Sequence, residues 1–181
     1  MTARLGALIA VDGVDGTSLK AAARAIVPTI PRPRRGGVSQ WDASGLFSDL
    51  MVAPREAGTP SARTLLLFYA ADVAFRLRWQ IRPAIDEGRI VIAAPWIATA
   101  VAFGRAAGLP AVWLHDLFEF ALRPAETRFA AEPHTDAREG RAGFVHFSIR
   151  CLDEHPGGQA RRDLVAGTRS YLKAGKSRIE K

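Results

Sequence analysis

Near its start the chain carries a short apolar run that ends at a glycine turn. Residues 5–11 (LGALIAV) are uncharged and precede Asp12 and Gly13, a pattern typical of a strand buried in a sheet. Residues 18–27 are rich in alanine, and Pro28 follows them. Because proline interrupts helices, we predict a buried first strand, a turn, and a helix over 18–27.

The clearest periodicity lies between residues 61 and 88. Apolar residues recur there at helical spacing and define one buried face: Leu66, Ala70, Val73, Leu77 and Ile81. Ser61 is a favourable N-cap, and Gly88 ends the pattern. We predict one helix over 61–87, in which Pro83 loosens the last turn.

Shorter elements alternate around that helix. Residues 89–94 (RIVIAA) are apolar without alternation, which indicates a strand covered on both faces. The other predictions are a loop at 34–37, strands at 38–41 and 127–131, a polar loop or flap at 132–143, and helices at 46–52, 96–106, 110–122 and 159–173. Strands and helices in this order predict an α/β fold, a parallel sheet with helices on both faces, in a single domain over 1–181.

Composition favours a globular protein of a reducing compartment. Hydrophobic residues make up 48% of the chain and charged residues 24%, which is too apolar for a disordered protein. Cys151 is the single cysteine, so no internal disulfide can form. No stretch approaches the roughly 18 uncharged apolar residues of a membrane span. We therefore expect a cytoplasmic protein that does not bind a membrane.

The formal net charge of +7 is compatible with nucleic acid or with phosphorylated small molecules. The tightest basic groups are Arg32, Arg34 and Arg35, and Arg161 with Arg162. Neither group is interleaved with aromatic residues, as a surface that binds single strands would be. We therefore expect a nucleotide or another phosphorylated small molecule as partner, and not nucleic acid.

The glycine turn nearly matches a phosphate-binding loop. Such loops read G-x-x-x-x-G-K-[ST] between a strand and a helix. The same frame here holds Gly13, Val14, Asp15, Gly16, Thr17, Ser18, Leu19 and Lys20. Leu19 stands where the lysine belongs, and Lys20 comes one position late. The turn is kept, whereas the cation that would bind a phosphate is displaced.

Three stretches, in order, resemble the thymidylate kinases, which are P-loop nucleoside monophosphate kinases. Residues 9–26 (IAVDGVDGTSLKAAARAI) are similar to the family's strand, E-G-x-D-G-x-G-K-[ST] loop and helix. Residues 64–92 resemble its L-L-F-A-A-D-R helix and I-x-P-A-L-x-x-G turn, and residues 99–125 its [ST]-x-x-A-[FY] and L-R-P helices. The resemblance implies a three-layer P-loop NTPase-type fold, with ATP and magnesium as cofactors of phosphoryl transfer.

Matched to that family, the loop that binds the donor phosphates has lost its cation. Leu19 matches the lysine that bridges the terminal phosphates of ATP, and Lys20 matches the hydroxyl that binds magnesium. Ser18 matches the second loop glycine, where a side chain crowds the turn. Asp12 and Asp15 match the family's acidic pair.

The acceptor side is altered too. The resemblance implies an acceptor pocket at Tyr69, Asp72, Val73, Arg76, Trp96 and Phe103. Val73 matches the arginine that grips the acceptor phosphate, residues 94–96 match the Asp-Arg-Tyr motif, and Tyr69 matches the phenylalanine that stacks on the acceptor base. Removing one preorganised donor of this kind costs about 2.7–4 kcal/mol of transition-state stabilisation. Several such losses predict a very slow or inactive enzyme.

Two hypotheses remain open. In the first, the chain is thymidylate-kinase-like with a degenerate site, has no cofactor that the sequence assigns, and acts as a binding or structural component. In the second, it is an active kinase that transfers the γ-phosphate of ATP to dTMP or an altered acceptor. Lys20, Arg138 and Arg141 would then be the catalytic cations, and Asp15, together with Asp12, would hold magnesium.

Further expectations follow from the resemblance. The segment at about 132–158, which contains Arg138 and Arg141, corresponds to the family's mobile, arginine-bearing lid. Arg76 lies one turn after Val73 and is a possible replacement for the lost acceptor arginine. The family packs helices into a homodimer, and Trp79 lies on the polar side of the long helix, so we expect a homodimer.

Overall fold

The computed structural model describes residues 5–52, 58–131, 143–152 and 158–179. Its centre is a parallel sheet with the strand order β2-β3-β1-β4. The strands are β1 (Ala7–Asp12), β2 (Arg35–Gln40), β3 (Ile90–Ala94) and β4 (Glu126–Phe129). Two 3₁₀ turns, Val27–Thr29 and Arg32–Arg34, precede β2.

Helices cover both faces of this sheet, which confirms the predicted α/β fold. They are α1 (Gly16–Ile26), α2 (Leu46–Val52), α3 (Ala62–Arg76), α4 (Arg82–Asp86), α5 (Ile97–Ala106), α6 (Ala111–Phe118), α7 (Phe144–Cys151) and α8 (Gly158–Ile179). Leu8 and Ala10 of β1 belong to a large core with α3 and α5, whereas Ile9 and Val11 belong to a second core with α1. The two cores exist because successive side chains of a strand point to opposite faces.

The second strand begins three residues earlier than its pattern predicts. Residues 35–37, predicted as loop, pair with β3 from Arg35 opposite Ile90, with a register shift before Val38. A Cβ added at Gly36 would lie 2.8 Å from Val91 Cγ2, so this close approach requires glycine. The prediction of a loop was wrong because the sequence RGG carries no apolar signal, and pairing with β3 alone makes it a strand.

The long helix forms where it is predicted, but it is not regular. Ser61 caps α3, since its hydroxyl oxygen accepts a hydrogen bond from the Thr64 N–H at 3.1 Å. A π-helical turn, Leu77–Ile81, joins α3 to α4 just before Pro83. Proline has no N–H to donate and its ring displaces the preceding turn, so the helix widens there. Gly88, at a φ of 77°, ends the element as predicted.

The other predicted elements agree in kind, and several differ in their ends, whereas α7 is a helix that the sequence pattern does not predict. Helix α6 stops at Phe118, four residues earlier than predicted, and α8 continues to Ile179. Within the predicted lid segment, α7 is a helix whose Phe144, Val145, Phe147 and Ile149 are buried in the large core. Residues 132–142 and 153–157 of that segment lie outside the described residues. No helix in the described part of the chain combines the length and apolarity needed to cross a membrane.

Candidate functional site

Asp12, at the carboxyl end of β1, holds the first turn of α5. Its Oδ1 accepts hydrogen bonds from the Trp96 N–H (3.0 Å), the Thr99 N–H (2.9 Å) and the Thr99 hydroxyl (2.7 Å). The Thr99 oxygen in turn accepts from the Gly13 N–H at 3.0 Å. Burial raises the pKa of Asp12 although these hydrogen bonds oppose the shift. The carboxyl group thus joins the glycine turn to the N-terminus of α5, whose free N–H groups it satisfies.

Asp15 caps the helix that follows the glycine turn. Its Oδ1 accepts a hydrogen bond from the Ser18 N–H at 2.8 Å, and its carbonyl accepts from the Leu19 N–H at 3.0 Å. An N–H group of this kind would contact a phosphate in a working loop. Gly143 packs on the same turn, since a Cβ added to it would lie 3.2 Å from the Gly16 nitrogen. The chain itself therefore occupies part of the space over the loop.

Leu19 points into the protein and not toward the loop mouth. It is 3% exposed and lies in the second core with Ala23 and Ile26. The three residues share one face of α1 because their spacing is four and three. Lys20, the next residue, is exposed, so the helix directs the displaced lysine away from the position that Leu19 occupies.

The six predicted acceptor residues do come together, but they form packed core. Tyr69, Asp72, Val73, Arg76 and Phe103 are each 0% exposed and Trp96 is 2% exposed. The Arg76 guanidinium has its Nε 3.0 Å from Asp72 Oδ2 and donates from Nη1 to the Pro95 carbonyl at 2.9 Å. Asp72 Oδ1 accepts from the Ser44 N–H at 2.9 Å. Arg76 is thus held inside the protein by neighbouring groups.

Tyr69 has an aromatic neighbour where the resemblance implies an acceptor base. The centroids of the Tyr69 and Phe144 rings lie 4.4 Å apart, and the Phe103 ring is 5.3 Å from Phe144. The Tyr69 hydroxyl donates to the Trp96 carbonyl at 2.7 Å. Burial raises the pKa of this hydroxyl. Phe144 of α7 therefore packs directly against the Tyr69 ring, at an interplanar angle of 54°.

Phe144 belongs to an aromatic cluster formed by distant parts of the sequence. Phe47 lies 5.8 Å from Phe144 and 5.3 Å from Phe147, and Trp41 lies 5.1 Å from Phe47 and 5.5 Å from Phe147, between ring centroids. Most of these pairs are edge-to-face, which is a favourable geometry for aromatic rings. The cluster joins the end of β2, α2 and α7, and it fixes α7 in place.

Two cavities lie next to α8, and one of them borders the glycine turn. The first, which we call the loop cavity, has a volume of about 340 Å³. It is lined by Asp12, Gly13, Val14, Asp15, Ser18, Phe129, Ala130, Ala131, Arg169, Leu172, Lys173 and Lys176. It holds the side chains of three cations and two carboxylates.

The second, the helix cavity, has a volume of about 450 Å³. It is lined by Ala98, Val101, Ala102, Arg105, Ala111, Phe129, Tyr171, Leu172, Ala174 and Gly175. It shares Phe129 and Leu172 with the loop cavity, so the two are neighbours. None of the six predicted acceptor residues lines either cavity.

Comparison with known proteins agrees with the resemblance seen in the sequence. No family model matches the chain. It is 26% identical over 66% of its length to the "Probable thymidylate kinase 2" of Saccharolobus solfataricus, and 26% identical over 64% to the "Probable thymidylate kinase" of Pyrobaculum calidifontis. The matches span 56% and 59% of those relatives, little more than half their length.

A solved structure shows the same fold. The crystal structure of thymidylate kinase from Ehrlichia chaffeensis superposes with a TM-score of 0.57, over 70% of this chain and 71% of that chain, at 17% identity. The chain is thymidylate kinase-like. The parallel sheet and its flanking helices match this neighbour, which confirms the predicted P-loop NTPase-type architecture.

In this thymidylate kinase-like chain the glycine turn and the predicted acceptor residues meet beyond the carboxyl ends of β1 and β3, where Pro95 and Trp96 bond to Asp12, Tyr69 and Arg76. Parallel sheets bind their ligands at these ends. Arg138 and Arg141 lie outside the described residues. Among the residues that are described, no group of three or more His, Cys, Asp or Glu side chains could hold a metal ion.

Two features near this candidate site do not follow from the sequence pattern. Phe144 and Phe147 lie in the segment that the resemblance assigns to the lid, and nothing in their local sequence indicates that they pack against Tyr69 and Trp41. The sequence pattern also does not group the cations of α8, Arg169, Lys173 and Lys176. Their spacing at 169, 173 and 176 is the signal that could have found them, since it places them on one helical face.

Proposed function

We propose that this thymidylate kinase-like chain is a binding component that does not transfer phosphate. The observation that carries the proposal is the contact of Phe144 with Tyr69 at 4.4 Å between ring centroids. Stacking on Tyr69 is the interaction an acceptor base would need. Phe144 is itself 1% exposed and packs against this ring, and we infer that it leaves no room for an acceptor base on Tyr69.

The donor side supports the same proposal. Leu19 lies in the core, and Asp15 Oδ1 is engaged by the Ser18 N–H. At this turn the terminal phosphates of ATP need a cation and open N–H groups, and magnesium needs a hydroxyl. The residues present at this turn do not fit ATP and magnesium.

The acceptor arginine is not replaced in a usable form. Arg76, which is 0% exposed, is held by Asp72 and the Pro95 carbonyl. A phosphate would have to compete with a buried carboxylate that is already paired with it, and separating such a pair costs several kcal/mol. A charge held in this way is not available to the phosphate of an acceptor.

A coupled assay with ATP, magnesium and dTMP tests the proposal directly. We expect turnover at or below about one thousandth of that of a thymidylate kinase measured alongside, the loss that one missing charge-stabilising donor can cause. Turnover within tenfold of that enzyme, abolished in Lys20→Gln, would establish the active kinase instead. Arg24→Gln, which removes an exposed charge from α1, is the matched control.

A second test asks whether α7 is what closes the acceptor pocket. Phe144→Ala removes the ring beside Tyr69, so we expect it to gain measurable dTMP binding in calorimetry. Phe147→Ala is the control, because Phe147 contacts Trp41 and Phe47. Equal dTMP binding by the parent chain and both variants would show that Phe144 does not block the pocket.

We further propose a cytoplasmic homodimer. Leu67, Phe75 and Trp79 follow one another along the long helix and are 51%, 37% and 65% exposed. The resemblance implies that helices pack together in a homodimer, and exposed apolar side chains on this helix support that arrangement. Cell fractionation tests the location, and a membrane-bound or secreted product would contradict it.

A further inference from the structure

Helices α5 and α8 pack closely at one place and leave a gap at another. A Cβ added at Gly167 would lie 3.1 Å from the Ala106 Cβ, so the two backbones approach each other there. At Gly175, further along α8, an added Cβ would meet no atom within 4 Å. Gly175 lines the helix cavity, which therefore occupies the gap between the two helices.

Small apolar side chains form most of the wall of this cavity. They come from three helices and are Ala98, Val101 and Ala102 of α5, Ala111 of α6 and Ala174 of α8. Phe129 of β4 and Leu172 of α8 complete the apolar surface. A volume of about 450 Å³ lies within the range of small-molecule sites. The cavity is thus large enough for a ligand whose own apolar groups fill the space that the small side chains leave.

Arg105 is the charged side chain of this wall, and among the described residues no carboxylate lines the cavity. Its Nη1 donates a hydrogen bond to the Leu109 carbonyl at 3.4 Å, and its guanidinium carbon lies 5.6 Å from the Tyr171 ring centroid. The ring restrains the guanidinium through its face. A guanidinium has five N–H donors, so most of those at the edge of Arg105 can bond to a further acceptor.

We propose that the helix cavity is a binding site for a monocarboxylic acid with a compact apolar body, such as a phenylalkanoic acid. The apolar body lies between α5 and α8, and the carboxylate bonds to Arg105. From Ala98 to Arg105 a helix rises about 10 Å, which sets the length of the ligand. This inference deepens the proposed function, on which it rests in that the chain binds a ligand without transferring phosphate.

The chemistry of the wall selects this ligand class. A nucleobase or a sugar has several donors and acceptors, and a wall whose polar side chains are Arg105 and Tyr171 would leave most of them unpaired, which is costly. A phosphate monoester would bring roughly two negative charges to a wall with one cation. A carboxylate matches the guanidinium in charge, and its two oxygens fit the N–H groups of the guanidinium edge.

Ligand-observed NMR titration with three probes tests the ligand class: phenylbutyrate, phenylbutanol and acetate. We expect phenylbutyrate to bind roughly tenfold more tightly than phenylbutanol, because a hydrogen bond between charged groups contributes more than a neutral one. We expect no detectable binding of acetate, which has no apolar body to bury. No detectable binding of phenylbutyrate, or equal binding of the acid and the alcohol, would overturn the proposal.

Two variants test the two halves of the site separately. Arg105→Gln is expected to lower the affinity for phenylbutyrate to that for phenylbutanol, and to leave phenylbutanol binding unchanged. Gly175→Leu places a large side chain in the cavity and should weaken the binding of both probes by roughly tenfold or more, whereas Gly175→Ala has a smaller effect. Arg24→Gln, which removes an exposed charge from α1, is the matched control and should change neither affinity.

The other outcomes overturn the site or concern the proposed function alone. Equal losses of phenylbutyrate binding in Arg24→Gln and Arg105→Gln would mean attraction by surface charge, and unchanged binding in Gly175→Leu would mean a ligand bound elsewhere; either overturns the site. So would a parent chain that binds neither probe and becomes monomeric in Gly175→Leu, because a second copy would then cover the cavity. Kinase turnover in the coupled assay would instead contradict the proposed function, and it is measured independently of phenylbutyrate binding.

Discussion

Leu19 shows how one residue can change the meaning of a motif. At this position a phosphate-binding loop has a lysine, and here the leucine is 3% exposed in the core beside Ala23 and Ile26. The side chain has not merely lost its charge, because it now points to a different part of the protein. The apolar spacing along α1 supports this direction, so restoring the lysine alone does not restore the site.

The first prediction concerns this buried position. Leu19→Lys removes a core side chain and introduces an unpaired charge, so we expect it to lower the free energy of unfolding by about 3 kcal/mol or more. Leu19→Met, which conserves volume, should cost less than about 1.5 kcal/mol. Urea unfolding followed by circular dichroism measures both. Equal stability of the two variants would mean that residue 19 reaches solvent at the loop mouth.

The second prediction concerns Asp12. Burial raises the pKa of this carboxyl above its ordinary value of 3.8, so the folded state binds the proton more tightly than the unfolded chain does. The resulting stabilisation is present at low pH and is lost as the pH rises from 3.8 through the folded pKa. Asp12→Asn cannot titrate and keeps an acceptor oxygen.

Urea unfolding of both proteins between about pH 4 and pH 8 measures this linkage. We expect the stability of Asp12→Asn, relative to the parent chain, to increase as the pH rises. A difference in stability that stays constant across this range would show that the Asp12 pKa does not differ between the folded and unfolded states.

At the scale of elements, a capping serine sets the start of the long helix, and a proline sets the place where it widens. Ser61 supplies the N-cap of α3, and Pro83 follows the π-helical turn Leu77–Ile81. The apolar spacing along the chain predicts the helix but not the turn, because a widened turn keeps nearly the same residues buried. Strand β2 is the opposite case, since its first residues are strand only by pairing with β3.

The third prediction tests the cap. Ser61→Ala removes the hydroxyl that accepts from the Thr64 N–H and should lower the free energy of unfolding by about 1 kcal/mol. Ser61→Asp retains an acceptor and should restore most of this loss. Thermal unfolding of the three proteins provides the comparison. If Ser61→Asp is as unstable as Ser61→Ala, the hydrogen bond does not carry the effect.

At the scale of the whole molecule, the sheet separates two regions of different character. On one face, α1 and its short core bury the position of the loop lysine. On the other, α3, α5, α7 and α8 form the large core that includes the predicted acceptor residues. The loop cavity and the helix cavity lie between α8 and the edge of the sheet.

The fourth prediction tests association of whole molecules. Trp79 is 65% exposed on the long helix, and burial of such a ring is a common source of binding energy at interfaces. Trp79→Lys should therefore shift the protein from dimer to monomer in analytical ultracentrifugation. Val112→Lys, which alters a residue that is 72% exposed on α6, should not. A parent chain that is monomeric throughout would contradict the homodimer.

The sequence by itself determined the α/β class, most helices and strands, and the damage to the phosphate loop, because local periodicity and motif spacing depend on near neighbours along the chain. Only the tertiary structure determined which side chains surround the predicted acceptor residues and the glycine turn. The contact of Phe144 with Tyr69, the confinement of Arg76 by Asp72 and Pro95, and the group of cations from α8 across the loop all join residues from different elements. Such contacts are selected by packing over the whole core, and no local pattern specifies them.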